Sequence, residues 1–88
     1  MDILKCASAG TMESSDVYVE IEPSDAGVDI ELDSVVIKQF GDKIKSVVAE
    51  VLEEQGIKKA LVRVTDRGAL ECVIRARVET AVNRGRGE

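Results

Sequence analysis

Two short segments of the chain alternate strictly between apolar and polar residues. In residues 17–22 every odd position is Val or Ile, and in residues 28–33 every even position is Val, Ile or Leu. Such alternation predicts two β-strands that each bury one face. A dense turn signal at 23–27 separates them. We therefore expect a hairpin with an acidic outer face, on which like charges opposite one another would cost some stability.

Two further strands are predicted from short apolar runs. Residues 3–9 form a partly apolar run that ends at Gly10, and residues 61–65 form another that ends in a turn signal at 66–68. Glycine suits the turn after the first run, because it adopts backbone angles that are closed to other residues.

The segment between the last two predicted strands has the apolar period of a helix. Ser34 can cap its start and Gly56 its end. Its apolar residues form one stripe that would pack on the core, opposite a charged face. The stripe consists of Ile37, Phe40, Ile44, Val47, Val48, Val51 and Leu52.

The pattern of the last segment fits two structures. Residues 70–78 alternate like a strand, yet they also fit a helix in which Arg77 is the one polar residue on the apolar face. The pattern continues past Val78 without a break, and this length favours the helix. Residues 84–88 are expected to be a frayed tail.

The predicted order of elements is β-β-β-α-β-α. It indicates a small α+β fold made by residues 1–88 as a single domain, with a mostly antiparallel sheet and both helices packed on one face. A three-stranded meander would be followed by one helical crossover to the fourth strand.

Composition narrows the function classes. Apolar residues make up 44% of the chain, almost all of them aliphatic, so a packed core is expected rather than disorder. Tyr18 and Phe40 are the only aromatic residues, which disfavours binding of single-stranded nucleic acid by stacking. The net charge of −5 disfavours binding of duplexes. No signal peptide or membrane-spanning segment is visible.

Charge is spread unevenly along the chain. Residues 1–33 contain nine acidic residues and one basic residue, whereas residues 34–88 contain eight acidic and eleven basic residues. This distribution fits either an ordinary solvated surface or a polar face for a charged partner.

Cys6 and Cys72 form no CxxC motif, so we expect two buried or half-buried free thiols and a reducing, cytoplasmic location.

The stretch 10–16 between the first two strands is the candidate site. It carries the adjacent hydroxyls of Ser14 and Ser15, which could bond the local backbone, act as nucleophiles or be modified by another enzyme. The chain has no His, the usual base for a nucleophilic Ser. It also lacks a phosphate-binding glycine loop and a metal-ligand spacing, so a free-standing enzyme is not expected.

Two stretches resemble the acyl carrier subunit, or gamma chain, of citrate lyase. They are Ala-Gly-Thr-Met-Glu-Ser-Ser-Asp at 9–16 and Asp-Arg-Gly-Ala-Leu-Glu-Cys-Val-Ile-Arg-Ala-Arg-Val-Glu-Thr-Ala at 66–81. Residues 36–41 also resemble that family, and the length of the chain matches it.

The resemblance implies a non-catalytic carrier. Members of the family hold a phosphoribosyl-dephospho-coenzyme A group through a phosphodiester to the first of the paired serines, which is Ser14 here, and Gly10, Glu13, Ser15 and Asp16 form the flanking loop. The thiol of that group carries the acetyl or citryl thioester while citrate is cleaved to acetate and oxaloacetate. The implied partners are the alpha and beta subunits and a transferase that installs the group.

Two alternatives stay open. The carrier subunit of malonate decarboxylase holds the same kind of group on a similar chain, although the runs quoted above favour citrate lyase. The chain could also be a structural or regulatory subunit without a prosthetic group.

Three arginines in the second stretch are candidates for docking. Arg67, Arg75 and Arg77 could meet a partner subunit or the phosphates of the group, because the planar guanidinium binds carboxylate and phosphate at two points. The competing interpretation is structural, with i,i+4 pairs between Arg75 and the glutamates Glu71 and Glu79 supporting the last helix.

Overall fold

The fold is described by a computed structural model for residues 3–34 and 37–87. Its elements are β1 (Ala7–Gly10), β2 (Val17–Glu22), β3 (Val28–Ser34), α1 (Ile37–Glu54), β4 (Ala60–Asp66) and α2 (Glu71–Gly85). The predicted β-β-β-α-β-α order is confirmed, and the ambiguous last segment is a helix.

The four strands form one sheet in the order β1-β2-β4-β3. The pairs β1–β2 and β2–β4 are antiparallel, whereas β3 and β4 are parallel and joined through α1. The sheet is therefore mostly antiparallel, as predicted. The expected hairpin of β2 and β3 is wrong, because β4 lies between them. Alternation along a strand decides which face it buries but not which strand it pairs with.

The position of β4 also places a basic residue within the acidic outer face of the sheet. Arg63 lies directly between Glu20 of β2 and Glu31 of β3 in the strand register. Its guanidinium approaches Glu31 at 3.5 Å and Glu22 at 3.8 Å. The repulsion expected between two adjacent acidic strands is thus partly offset by a basic residue from the strand inserted between them.

The opposite face of the sheet carries the core. Val17, Val19 and Ile21 of β2 are buried on this face, as the alternation predicts. Both helices cover it: α2 contacts β1 and β2, and α1 contacts β3 and α2. The helical contribution to the buried cluster is Ile44, Val47, Val48, Val51, Leu52, Ile74, Val78, Ala81 and Val82.

Helix α1 ends as the sequence predicts. Gly56 has a positive φ of 73°. Its N–H donates to the carbonyl of Glu53 at 3.0 Å, and the N–H of Ile57 donates to that of Leu52 at 2.9 Å. These two bonds are those of a Schellman motif.

Ser34, predicted to cap the start of α1, is the last residue of β3, and its hydroxyl donates to Oδ2 of Asp66 at 2.8 Å. The residues 35–36 that join it to α1 and the side chains of Ile37 and Phe40 lie outside the described part of the chain.

The C-terminal end of α2 is part of the core. The carbonyl of Gly85 accepts the N–H groups of Leu4 and Lys5, at 2.9 and 3.1 Å. A Cβ atom at Gly85 would lie 3.1 Å from Ile3, so the helix end packs closely on the N-terminal segment. The expectation that the chain frays from residue 84 is therefore wrong at Arg84 and Gly85, because contacts distant in sequence hold the last turn.

Both cysteines are exposed free thiols. The expected burial is wrong because Cys6 precedes β1, which begins only at Ala7, and Cys72 lies in the first turn of α2. Among the residues that the structure describes, no helix is long and apolar enough to cross a membrane.

Candidate functional site

The two paired serines lie on the loop 11–16 between β1 and β2. The N–H of Asp16 donates to the carbonyl of Glu13 at 3.1 Å, which closes a four-residue turn. Ser15 has a φ of 65°, and it is the one described residue other than glycine with a positive φ. A positive φ at the third position makes this a type II turn. Ser14 thus occupies the second position, an exposed corner.

A β-bulge fixes this turn to the loop after β4. The N–H of Ser15 donates to the carbonyl of Arg67 at 2.8 Å, and the N–H of Arg67 donates to the carbonyl of Asp16 at 2.9 Å. Two residues of one strand therefore oppose one residue of its partner, and the first of the two is left-handed, as in a G1 bulge. The bulge joins the stretches 9–16 and 66–81 in space.

Asp16 is the centre of the polar network in the loop. Its Oδ2 accepts the hydroxyl of Thr11 at 2.7 Å, and its Oδ1 accepts the N–H of Val17 at 2.7 Å. The same Thr11 hydroxyl accepts the N–H of Glu13 at 3.2 Å. The loop is therefore held by its own side chains, although its outer surface is exposed.

Arg77 holds the same carboxylate from helix α2. Its Nε lies 3.2 Å from Oδ1 of Asp16, and its Nη2 lies 3.0 Å from Oδ2. The hydroxyl of Thr11, the N–H of Val17 and the guanidinium of Arg77 lower the pKa of Asp16 from its ordinary value of 3.8 to about 2. Asp16 is thus a stable anion that acts as a structural anchor.

Gly10 allows β1 to end close to this network. Its φ is 95°, and a Cβ atom at this position would lie 1.9 Å from the carbonyl oxygen of Val17 and 3.3 Å from Cδ of Arg77. No side chain fits there, so the glycine is required both by its backbone angle and by the space available.

Arg75 has a different environment. Its guanidinium lies 2.5 Å from Glu50 and 3.6 Å from Glu54, both on α1, and 3.5 Å from Glu71 on its own helix. The pair with Glu71 is confirmed, and glutamates of α1 take the place predicted for Glu79. Hydrogen bonding to Glu50 raises the pKa of Arg75. Arg75 therefore ties the two helices together.

Arg67 is the third of the predicted arginines. Its backbone is engaged by the bulge, but its side chain is exposed and makes no hydrogen bond or ion pair with any of the described residues.

Two exposed apolar side chains lie on the same pair of loops, namely Met12 at 52% and Leu70 at 71% exposure.

The arrangement presents an accessible hydroxyl on a rigid support. The chain contains no His to serve as a base for Ser14. Within residues 3–34 and 37–87, no group of three His, Cys, Asp or Glu side chains could hold a metal ion. An exposed hydroxyl with an unpaired guanidinium on the adjoining loop suits covalent attachment of an anionic group by another enzyme.

The sequence predicts the loop, Ser14 and the three arginines as the candidate site, and these residues stay predictions; two features of the loop were not predicted. The pairing of Asp16 with Arg77 spans 61 positions and has no local signal. The left-handed backbone of Ser15 also has no signal in the sequence, because Gly or Asn would be the usual residue at that position of the turn.

Comparison with known proteins places the chain among acyl carriers. A family model described as malonate decarboxylase delta subunit (MdcD) matches residues 5–85. A citrate lyase acyl carrier protein from Haemophilus influenzae is 53% identical over 88 residues, which covers 100% of this chain and 92% of that relative. One from Halothermothrix orenii is 48% identical over 84 residues, covering 96% and 89% of the two chains.

A solved structure has the same fold. A chain of a Pseudomonas malonate decarboxylase hetero-tetramer in complex with malonate superposes with a TM-score of 0.79. The match covers 91% of this chain and 82% of that chain at 23% sequence identity, a level at which the likeness concerns the fold alone.

Proposed function

The chain belongs to the family of citrate lyase acyl carrier proteins, and on this premise we propose that Ser14 carries a phosphoribosyl-dephospho-coenzyme A group through a phosphodiester. Residues 1–88 would form one acyl-carrier domain. The observation that carries the proposal is the exposed hydroxyl of Ser14 at the corner of a type II turn.

The structure of the loop supports Ser14 over Ser15 as the attachment residue. Ser15 is the bulge residue, with a left-handed backbone and an N–H that is already bonded to Arg67. Ser14 has no such constraint, and its N–H has no acceptor among the described residues. A transferase could therefore modify Ser14 without breaking the contacts that hold the loop.

The residues around Ser14 would present the group, and the chemistry would belong to other subunits. When bound, the group supplies a thiol that can carry an acyl thioester. Asp16 and Arg77 hold the loop on helix α2, and Gly10 lets β1 approach it. The chain itself is proposed to be non-catalytic, since it has no His and the one carboxylate among the described residues that contacts a hydroxyl of the loop, Asp16, is held by Arg77 with a pKa lowered to about 2 and is therefore a weak base.

We further propose the alpha and beta subunits of citrate lyase and a prosthetic-group transferase as partners. The exposed Met12 and Leu70, on the two loops joined by the bulge, offer apolar contacts for such enzymes. A cytoplasmic location is proposed because exposed Cys6 and Cys72 would persist as free thiols in a reducing compartment.

The second candidate is a carrier for malonate decarboxylase. The matching family model favours it, whereas the identity of about 50% to citrate lyase carriers favours the first proposal. Adding the loaded protein to either set of catalytic subunits separates the two: restored cleavage of citrate supports the first, and restored decarboxylation of malonate supports the second.

Intact mass and peptide mapping test the attachment. The native protein should be heavier than its sequence by one nucleotide-sized adduct, located on Ser14. Ser14→Ala should fold and remain unloaded, whereas Ser15→Ala should still be loaded. An adduct on Ser15 would overturn the assignment, and a native protein with the unmodified mass would favour a structural or regulatory subunit.

A further inference from the structure

The three arginines of the stretch 66–81 differ in what they contact. Three glutamates hold Arg75, and Asp16 holds Arg77 at two points. The side chain of Arg67 is exposed and has no polar contact with the described residues. Arg67 is thus the arginine of the three whose guanidinium is available to a ligand without the loss of an existing interaction.

The bulge fixes Arg67 beside the proposed attachment residue. Its carbonyl accepts the N–H of Ser15 at 2.8 Å, and its N–H donates to the carbonyl of Asp16 at 2.9 Å. Ser14 is the next residue along the chain, with its Cα about 3.8 Å from that of Ser15. The backbone of Arg67 is therefore held close to Ser14, while its long side chain is free to rotate.

The guanidinium of Arg67 and a backbone N–H, both without a partner among the described residues, favour an anion as the ligand beside Ser14. Arg77 compensates Asp16, so Glu13 is the one acidic side chain of the loop 11–16 that has no basic partner among the described residues. The N–H of Ser14 also lacks an acceptor among them. A phosphate on the Ser14 hydroxyl would therefore find two kinds of donor close by, a backbone N–H and a planar guanidinium.

We propose that Arg67 binds the phosphodiester that links the prosthetic group to Ser14, an assignment that rests on the function proposed above. The contact would offset the negative charge that the phosphodiester adds beside Glu13. It would also fix the first bonds of the attached group relative to the loop, so that the group leaves the protein in a defined direction.

The test uses the loaded, isolated subunit and ³¹P NMR. Arg67→Gln removes the guanidinium. Lys45→Gln is the matched control, because Lys45 is an exposed cation on α1 without an ion pair among the described residues. The phosphodiester resonance should shift in Arg67→Gln and stay in place in Lys45→Gln. The unloaded forms of both variants should melt at the temperature of the wild type.

A second readout observes Arg67 directly in the wild type. Its Nε–H resonance should move when the subunit is loaded, whereas that of Arg63, on the outer face of the sheet, should not. Intact mass verifies the loading of every sample.

Two outcomes would overturn the proposal. A phosphodiester resonance that is the same in Arg67→Gln and wild type overturns it. If that variant also assembles poorly with the catalytic subunits, Arg67 instead meets an acidic surface of a partner. A wild-type protein that carries no adduct on Ser14 overturns the proposed function, and this assignment falls with it.

Discussion

Asp16 and Arg77 meet in a two-point ion pair that holds the Ser14 loop on helix α2, with N···O distances of 3.2 and 3.0 Å. The side chain of Asp16 is 15% exposed and that of Arg77 is 40% exposed. The pair is thus partly shielded from water and salt, and it links the two stretches of sequence that resemble the family.

Replacement of Arg77 tests whether this pair holds the loop. Arg77→Gln should lower the melting temperature of the isolated subunit and raise the pKa of Asp16 from about 2 toward 3.8. The amides of residues 11–16 should exchange faster with solvent, as measured by hydrogen exchange. Lys45→Gln, which removes an exposed charge without an ion pair among the described residues, should change none of these quantities. An Arg77→Gln protein with unchanged stability but weakened assembly would instead show that Arg77 serves docking.

The lowered pKa of Asp16 predicts a dependence of stability on pH. A carboxyl whose pKa is lower in the folded than in the unfolded state stabilises the fold above the unfolded value, and the contribution disappears as pH falls through the folded value. The stability advantage of wild type over Asp16→Asn should therefore be constant above pH 3.8 and decline toward pH 2. Denaturant unfolding across this range measures it, and an advantage that does not change with pH would contradict the prediction.

Gly10 and Gly27 form a matched pair for testing the close approach of β1 to Val17. Both have positive φ values, of 95° and 90°, but a Cβ atom would clash only at Gly10. Gly27→Ala should cost about 1–2 kcal/mol for its left-handed backbone. Gly10→Ala should cost about 1–3 kcal/mol more, because the added methyl overpacks the site. Equal losses in urea unfolding would show that space at Gly10 does not matter.

The backbone of Ser15 predicts a difference between neighbouring serines. Ser15→Gly should keep the fold, since glycine accepts a positive φ, whereas Ser15→Val should be less stable than Ser15→Gly by about 1–2 kcal/mol. Ser14→Val is the control, because Ser14 has no positive φ, and it should lie close to wild type. Thermal unfolding of the three variants checks this, and a loss in Ser14→Val equal to that in Ser15→Val would refute the turn assignment.

The exposure of Cys6 and Cys72 predicts that neither is needed for stability or for acyl transfer. A double Ala variant should differ from wild type by no more than about 0.5 kcal/mol, because exposed positions contribute little packing. Both thiols should react with a thiol reagent in the folded protein. Acyl transfer should persist in the loaded variant, because the proposed acyl-bearing thiol belongs to the prosthetic group. A folded, loaded variant that cannot transfer the acyl group would refute this.

Local patterns in the sequence predict the secondary-structure elements and single out the hydroxyl of Ser14. Period-2 and period-3.6 patterns predicted β2, β3, α1 and α2, because burial of one face dictates the residue type at each position. Gly56 predicts the end of α1, because the left-handed backbone that follows many helices is a local requirement that a single glycine meets. The stretch 9–16 around Ser14 resembles the citrate lyase acyl carrier family, and its polar residues after Gly10 predict the loop.

Which strands pair and which distant side chains meet is set by the packing of the whole chain. The insertion of β4 between β2 and β3, with Arg63 between Glu20 and Glu31, could not be predicted, because alternation carries no information about partners. The ion pair of Asp16 with Arg77 could not be predicted either, because the two residues are 61 positions apart and no local pattern connects them. These contacts form because burial of a shared core brings distant segments together, and charge and hydrogen-bond geometry then select the pairs at its edge.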